Sequence, residues 1–146
     1  MPSLLLENQG KHPWWLKAWG LLAIGFGLLS LKAGGTVLFG GSEAEAAAGD
    51  YVPFVLWFNF LAGFLYIATG AGLVWAQRWA IPIAFSLAGA TVAVFAAFGV
   101  HIFMGHAYET RTVAAMTVRS LFWILTAFLS KKGTPHQTYN GLLDKK

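Results

Sequence analysis

The sequence predicts an all-α integral membrane protein, a four-helix bundle running up-down-up-down with both termini in the cytoplasm. Three observations predict it. Of 146 residues, 57% are hydrophobic and only 11% are charged, where a soluble domain carries about a quarter charged. Four apolar stretches, at residues 16–39, 53–76, 81–104 and 112–130, each come close to the roughly 20 residues that cross a hydrocarbon core about 30 Å thick. Finally, the basic residues gather on one side of those stretches. Residues 1–146 therefore read as one membrane domain with short cytoplasmic tails.

The first span, 16–39, opens behind Trp14 and Trp15 and carries Trp19 one turn in. Lys32 and the run Ala33-Gly34-Gly35 interrupt it, which leaves open whether its last third continues as helix or is irregular or re-entrant. The small residues from Ala44 to Ala48 have the composition of a leader cleavage site. The apolar region before them is too long and lies too far from the start for an ordinary leader. The second span, 53–76, begins at Pro53, with Tyr51 and Trp57 at one end and Trp75 at the other. Trp75 and Trp79 flank the Gln77-Arg78 turn, as interfacial aromatic belts do. The third and fourth spans, 81–104 and 112–130, follow through connections so short that neighbouring helices must be antiparallel. The tail from Gly133 to Lys146 is polar, with Pro135 and Gly141.

Charge sets the orientation. Lys11, Lys17, Arg78, Lys131, Lys132, Lys145 and Lys146 fall on one side, against Lys32, Arg111 and Arg119 toward the other. The positive-inside rule places the larger group in the cytoplasm. Glu43, Glu45, Asp50 and Glu109 then lie outside. The net charge of +4 is a topology signal, and nucleic acid is excluded as a partner. The absence of cysteine excludes disulfides, thiolate metal sites, iron–sulfur clusters and dithiol redox chemistry. The expected partner is the lipid bilayer, with other membrane subunits or a second copy as further partners. The expected location is the cell membrane, as a multi-pass protein of a bacterial inner membrane.

Small residues recur at helical spacing. Gly20, Gly27 and Gly34 repeat every seven residues in the first span, and Gly63, Gly70 and Gly72 mark the second. Lipid supplies no hydrophobic drive between helices, so close backbone approach across small residues provides the packing. Internal packing is the plain reading, and a homodimer face the functional one.

Residues that are costly in a membrane form a layer near the outer end. Lys32, Asn59, His101 and Arg119 place one polar side chain per helix there. A rise of 1.5 Å per residue puts them roughly 5–10 Å below the interface. Glu109 hangs over the layer on the third loop, and Tyr66 adds a hydroxyl deeper on the face of Asn59. A cation at this depth costs about 2.5–3.5 kcal/mol even on lenient scales, so it faces a partner or water. Lys32 has the alternative of reaching the headgroups by its own length. Arg119 shares a face with Met116, Trp123 and Thr126, which points it inward, and Glu109 is its nearest anion. Arg119, His101, Asn59, Glu109, Lys32 and Tyr66 are thus the candidate ligand-binding residues.

His101 admits three readings: an interhelical hydrogen bond, proton handling beside a quinone-like ligand, or a metal ligand. In the last case Met104 and His106 would join it, a soft donor set suited to copper. His12 and His136 lie in the tails, so no bis-histidine haem site spans the bundle. No catalytic constellation is present: there is no serine–histidine–acid set, no paired intramembrane carboxylates and no phosphate loop. No resident cofactor is required, quinone being the one the polar layer would suit.

Gly25, Gly27 and Lys32 close a glycine-rich first helix on a lysine. Gly63, Gly70 and Gly72 precede a tight basic turn at Arg78, and an alanine-rich third helix ends near His101. This order over residues 18–130 resembles the DoxX-like group of small four-helix bacterial membrane proteins. The resemblance implies a four-helix bundle, sometimes attached to oxidoreductase complexes that meet the quinone pool. Asn59 stands where such proteins often carry an acid, so charge chemistry at that position does not carry over. The function expected is that of a non-catalytic or accessory subunit with a polar outer pocket. The alternatives are a quinone-linked component of a membrane oxidoreductase system and a copper or other metal-handling protein.

Overall fold

The computed structural model describes residues 13–133. Within them the chain forms five helices: α1 (Trp14–Phe39), α2 (Gly41–Ala48), α3 (Pro53–Val74), α4 (Ala80–Phe103) and α5 (Thr110–Gly133). All but α2 are long and apolar enough to cross a membrane. Leu21, Leu28 and Leu29 on α1, Leu61 and Phe64 on α3, and Leu121, Leu125 and Phe128 on α5 are exposed. In water such a surface would be an aggregation liability; in lipid it is the solvent-facing side of a multi-pass bundle. Lys11, His12, His136, Lys145 and Lys146 lie outside the described residues.

Proline and left-handed positions set the helix boundaries. Extended Pro13 precedes α1, and Pro53 opens α3 at its first position, where its missing N–H costs nothing. Past the end of α3, Ala76 adopts φ 52°, with Gln77 N–H on Gly72 O at 2.7 Å and Ala76 N–H on Leu73 O at 3.1 Å. That is a Schellman closure with alanine where glycine is usual. Gly105, at φ 80°, closes α4 in the same way.

The first span continues as helix past Lys32. α1 runs unbroken to Phe39, because packing overrides the low helix propensity of Gly34 and Gly35. Gly34 is buried against Phe60 of α3, where a Cβ would lie 3.0 Å from the Phe60 Cβ. Thr36 also bonds back to Lys32 O at 2.8 Å. The chain turns only at Gly41, at φ 80°, and enters α2. That short helix occupies the stretch whose small residues suggested a cleavage site; the Glu-Ala-Glu-Ala-Ala-Ala run is strongly helix-forming.

α1 packs chiefly on α3 through glycine. A Cβ added at Gly20 would lie 2.6 Å from Gly70 O, and one at Gly27 would lie 2.7 Å from Gly63 O. As α1 advances from 20 to 27, α3 retreats from 70 to 63, so this pair is antiparallel. The glycine repeat thus serves internal packing. α5 packs chiefly on α4. The core between the pairs holds Ala23, Tyr66, Leu87 and Trp123. The seam between α1 and α5 is looser, and long side chains bridge it: Trp19 Nε1–H donates to Thr126 Oγ1 at 2.7 Å, and Phe26 meets Phe122 with centroids 5.0 Å apart.

Candidate functional site: a cationic cavity at the α2 end

Where the α1–α5 seam widens toward α2, a cavity of about 700 Å³ opens. Lys32, Asn59 and Arg119, three of the residues expected to share a polar layer, line it together with Ser30, Thr112 and Arg111. Thr36 and Tyr51 add hydroxyls, and the rest of the wall is largely apolar, from Leu29, Ala33, Val37, Leu56 and Ala115, with Ala44, Ala47 and Ala48 of α2 beside it.

Arg119 is only partly exposed and points into the bundle. Its Nη2–H donates to Ser30 Oγ at 3.2 Å, and its guanidinium carbon stands 5.6 Å from the centre of the Phe26 ring, a cation–π distance. Its Nε is buried without a partner. Ser30 and Phe26, the described groups that touch the charge, are both neutral. Lys32 is exposed on the cavity side of α1, and among the described residues its ammonium forms no ion pair or side-chain hydrogen bond. Asn59 is 9% exposed, and its Oδ1 is buried without an acceptor role in any hydrogen bond.

Glu109 does not serve Arg119 as expected. Its Oε1 accepts the Asp50 N–H at 3.0 Å, and its Oε2 stands 3.7 Å from Arg111 Nε. The Asp50 contact ties this loop to the α2–α3 connection, where Gly49 lies close against the Glu109 carboxylate. Arg111 also donates to Ala47 O at 3.0 Å and Ala48 O at 2.7 Å, satisfying carbonyls that the end of α2 leaves open.

His101 also stands apart from the cavity. Its ring packs between Phe54 and Phe98, on the α3–α4 side, with Nε2 3.3 Å from Ala107 O. The left-handed turn at Gly105 folds His106 back so that the two imidazoles stack at 4.6 Å, inclined by 19°. His106 Nδ1 lies 3.2 Å from His101 O. Stacked rings aim their nitrogens side by side rather than at a common point, and Met104 is exposed. Among the described residues no group of three or more His, Cys, Asp or Glu side chains is placed to hold a metal ion. Tyr66 is fully buried below the cavity, tilted on Trp123 at 4.6 Å. Phe26, which stacks on it at 5.9 Å, links it to the site.

No family model, curated protein or solved structure matches this chain. The geometry of the cavity alone carries the functional reading. Sequence reasoning missed Ser30 and Phe26 as the partners of Arg119, and Arg111 as the residue that fastens α2. The signal for the first was present: Ser30 lies three residues past Gly27, on the glycine face that α1 buries.

Proposed function

We propose that this chain is a non-catalytic multi-pass protein of the cell membrane, an accessory subunit of a bacterial inner membrane, whose outer cavity holds a small ligand. The bundle runs up-down-up-down with both termini cytoplasmic. Lys17, Arg78, Lys131 and Lys132 at one end, against Glu43, Glu45, Asp50 and Glu109 at the other, support that orientation. The cavity then opens toward the outer leaflet. The DoxX-like resemblance is compatible with this reading and is proposed on the same residues.

The observation that carries it is the convergence of Lys32, Asn59 and Arg119 on one space of about 700 Å³, a volume within the range of small-molecule sites. Intramembrane cations that face a cavity rather than lipid mark ligand or ion sites more often than packing. The quinone-linked reading relied on His101 beside Arg119. With His101 outside the cavity, a quinone would meet donors from Lys32, Arg119, Asn59 and Ser30 but no imidazole to handle its protons. Among the described residues, the metal-handling reading has the His101–His106 stack to draw on.

Mild-detergent purification followed by mass spectrometry of retained small molecules tests the proposal. A molecule carried by the native chain and lost from both Lys32→Met and Arg119→Gln supports it. Retention that neither substitution changes overturns it.

A further inference from the structure

We propose that the cavity at the α2 end binds an amphiphile with an anionic head, a carboxylate or phosphate on an apolar tail. This rests on the pocket reading and narrows its occupant.

The first ground is uncompensated charge. Arg119 and Lys32 line one cavity, and neither has an anionic partner among the described residues. Arg119 spends one donor on Ser30 and rests on the Phe26 ring. Arg111, at the rim, is already engaged by Glu109 and by two carbonyls of α2. Among the described residues, no aspartate or glutamate lines the cavity. Away from water, a cation without a counter-charge is expensive, and removing one member of a buried pair has a large cost for that reason. Two such cations facing one space favour a negative group there, and a guanidinium matches carboxylate or phosphate oxygens in a way a neutral carbonyl does not. A quinone head would leave both charges unmet.

The second ground is the wall. Leu29, Ala33, Val37, Leu56 and Ala115 give the cavity an apolar lining around the cations. Leu29 is 65% exposed on the outside of α1, so the cavity opens sideways along a surface that faces acyl chains. A tail can leave through that opening while the head remains at Lys32 and Arg119. A free inorganic anion would gain nothing from such a wall.

The test uses the full chain in an uncharged maltoside detergent. Its thermal midpoint is followed during titration with oleate, dioleoyl phosphatidate, monoolein, decylubiquinone and inorganic phosphate. Oleate, phosphatidate or both should raise the midpoint by several degrees, while monoolein and inorganic phosphate leave it in place. Oleate alone identifies a free fatty carboxylate as the class, and phosphatidate alone a bilayer phospholipid. Lys32→Met, at an exposed position outside the core, should weaken the response at least about tenfold, as should Arg119→Gln. If Arg119→Gln does not fold, Lys32→Met decides alone. An equal response to monoolein, an equal response to inorganic phosphate, or an oleate response unchanged in Lys32→Met overturns the inference. A decylubiquinone response that depends on Arg119, without preference for anions, overturns it while leaving the pocket in place. No response to any of the five overturns both.

Discussion

Arg119 of α5 reaches across the seam with α1 and donates to Ser30 at 3.2 Å. Ser30 is 2% exposed, and Arg119 has no anion beside it among the described residues. The contact fixes where the seam stops being closed by aromatic rings and begins to open as a cavity. Below it Phe26 and Phe122 fill the gap; above it Lys32 and Asn59 face open space.

The strength of that contact is measurable. Arg119→Ala should destabilise the bundle by about 1–3 kcal/mol, through the lost hydrogen bond and the unsatisfied group left behind. A double-mutant cycle with Ser30→Ala should return a coupling of roughly 0.6–1.7 kcal/mol, the range for interhelical hydrogen bonds in membranes. Arg119→Lys should recover only part of the loss, because an ammonium lacks the planar fork that lies over Phe26. Additive effects in the cycle would mean that the two side chains do not meet.

The glycines divide into two sets with opposite expectations. Gly20→Ala and Gly27→Ala place a Cβ against the backbone of α3, and should cost about 1–3 kcal/mol as overpacking. At Gly25 and Gly89 a Cβ meets nothing within 4 Å, so alanine there should be neutral or stabilising by roughly 0.5–1 kcal/mol. Thermal midpoints in detergent, measured for all four, should fall in two groups.

α2 should be held by Arg111 and not by burial, since none of its residues is buried. Arg111→Ala should raise hydrogen exchange of the α2 amides roughly 2–10-fold, the effect of losing about one ordinary hydrogen bond. Global stability should change little, because the Arg111–Glu109 pair is exposed to solvent. Exchange confined to α2 distinguishes this from general loosening.

Removing the imidazole at position 101 should leave the cavity intact. His101→Ala should not alter the response to oleate or to decylubiquinone, because its ring stacks on His106 on the opposite side of α3. A loss of ligand response in this variant would put His101 back in the site.

The sequence carried the depth of each polar residue but not its direction. Depth follows from a fixed rise along the helix, so the layer of Lys32, Asn59, His101 and Arg119 could be counted out. Direction around the helix axis depends on which neighbour each face meets. For Arg119 the companions Met116, Trp123 and Thr126, all fully buried, made the inward face legible. For His101, on an alanine-rich helix with small residues on several faces, nothing fixed the rotation. The α1–α3 contact was legible because glycines seven apart have few other uses. Glu109 was misplaced because its loop is positioned by Arg111 and by the shape at Gly49, neither of which has a periodic signature.

Lys32 and Arg119 are proposed to face a cavity reached from the outer side, and not lipid. The native chain has no cysteine, so single cysteines report on it directly. Ala115→Cys, in the cavity wall, should react with a charged, membrane-impermeant thiol reagent added outside intact cells. Val118→Cys and Leu121→Cys, on the exposed face of the same helix, should remain unlabelled in the lipid. Equal protection at all three positions would contradict the account, because the cations would then face lipid and no cavity would stand behind them.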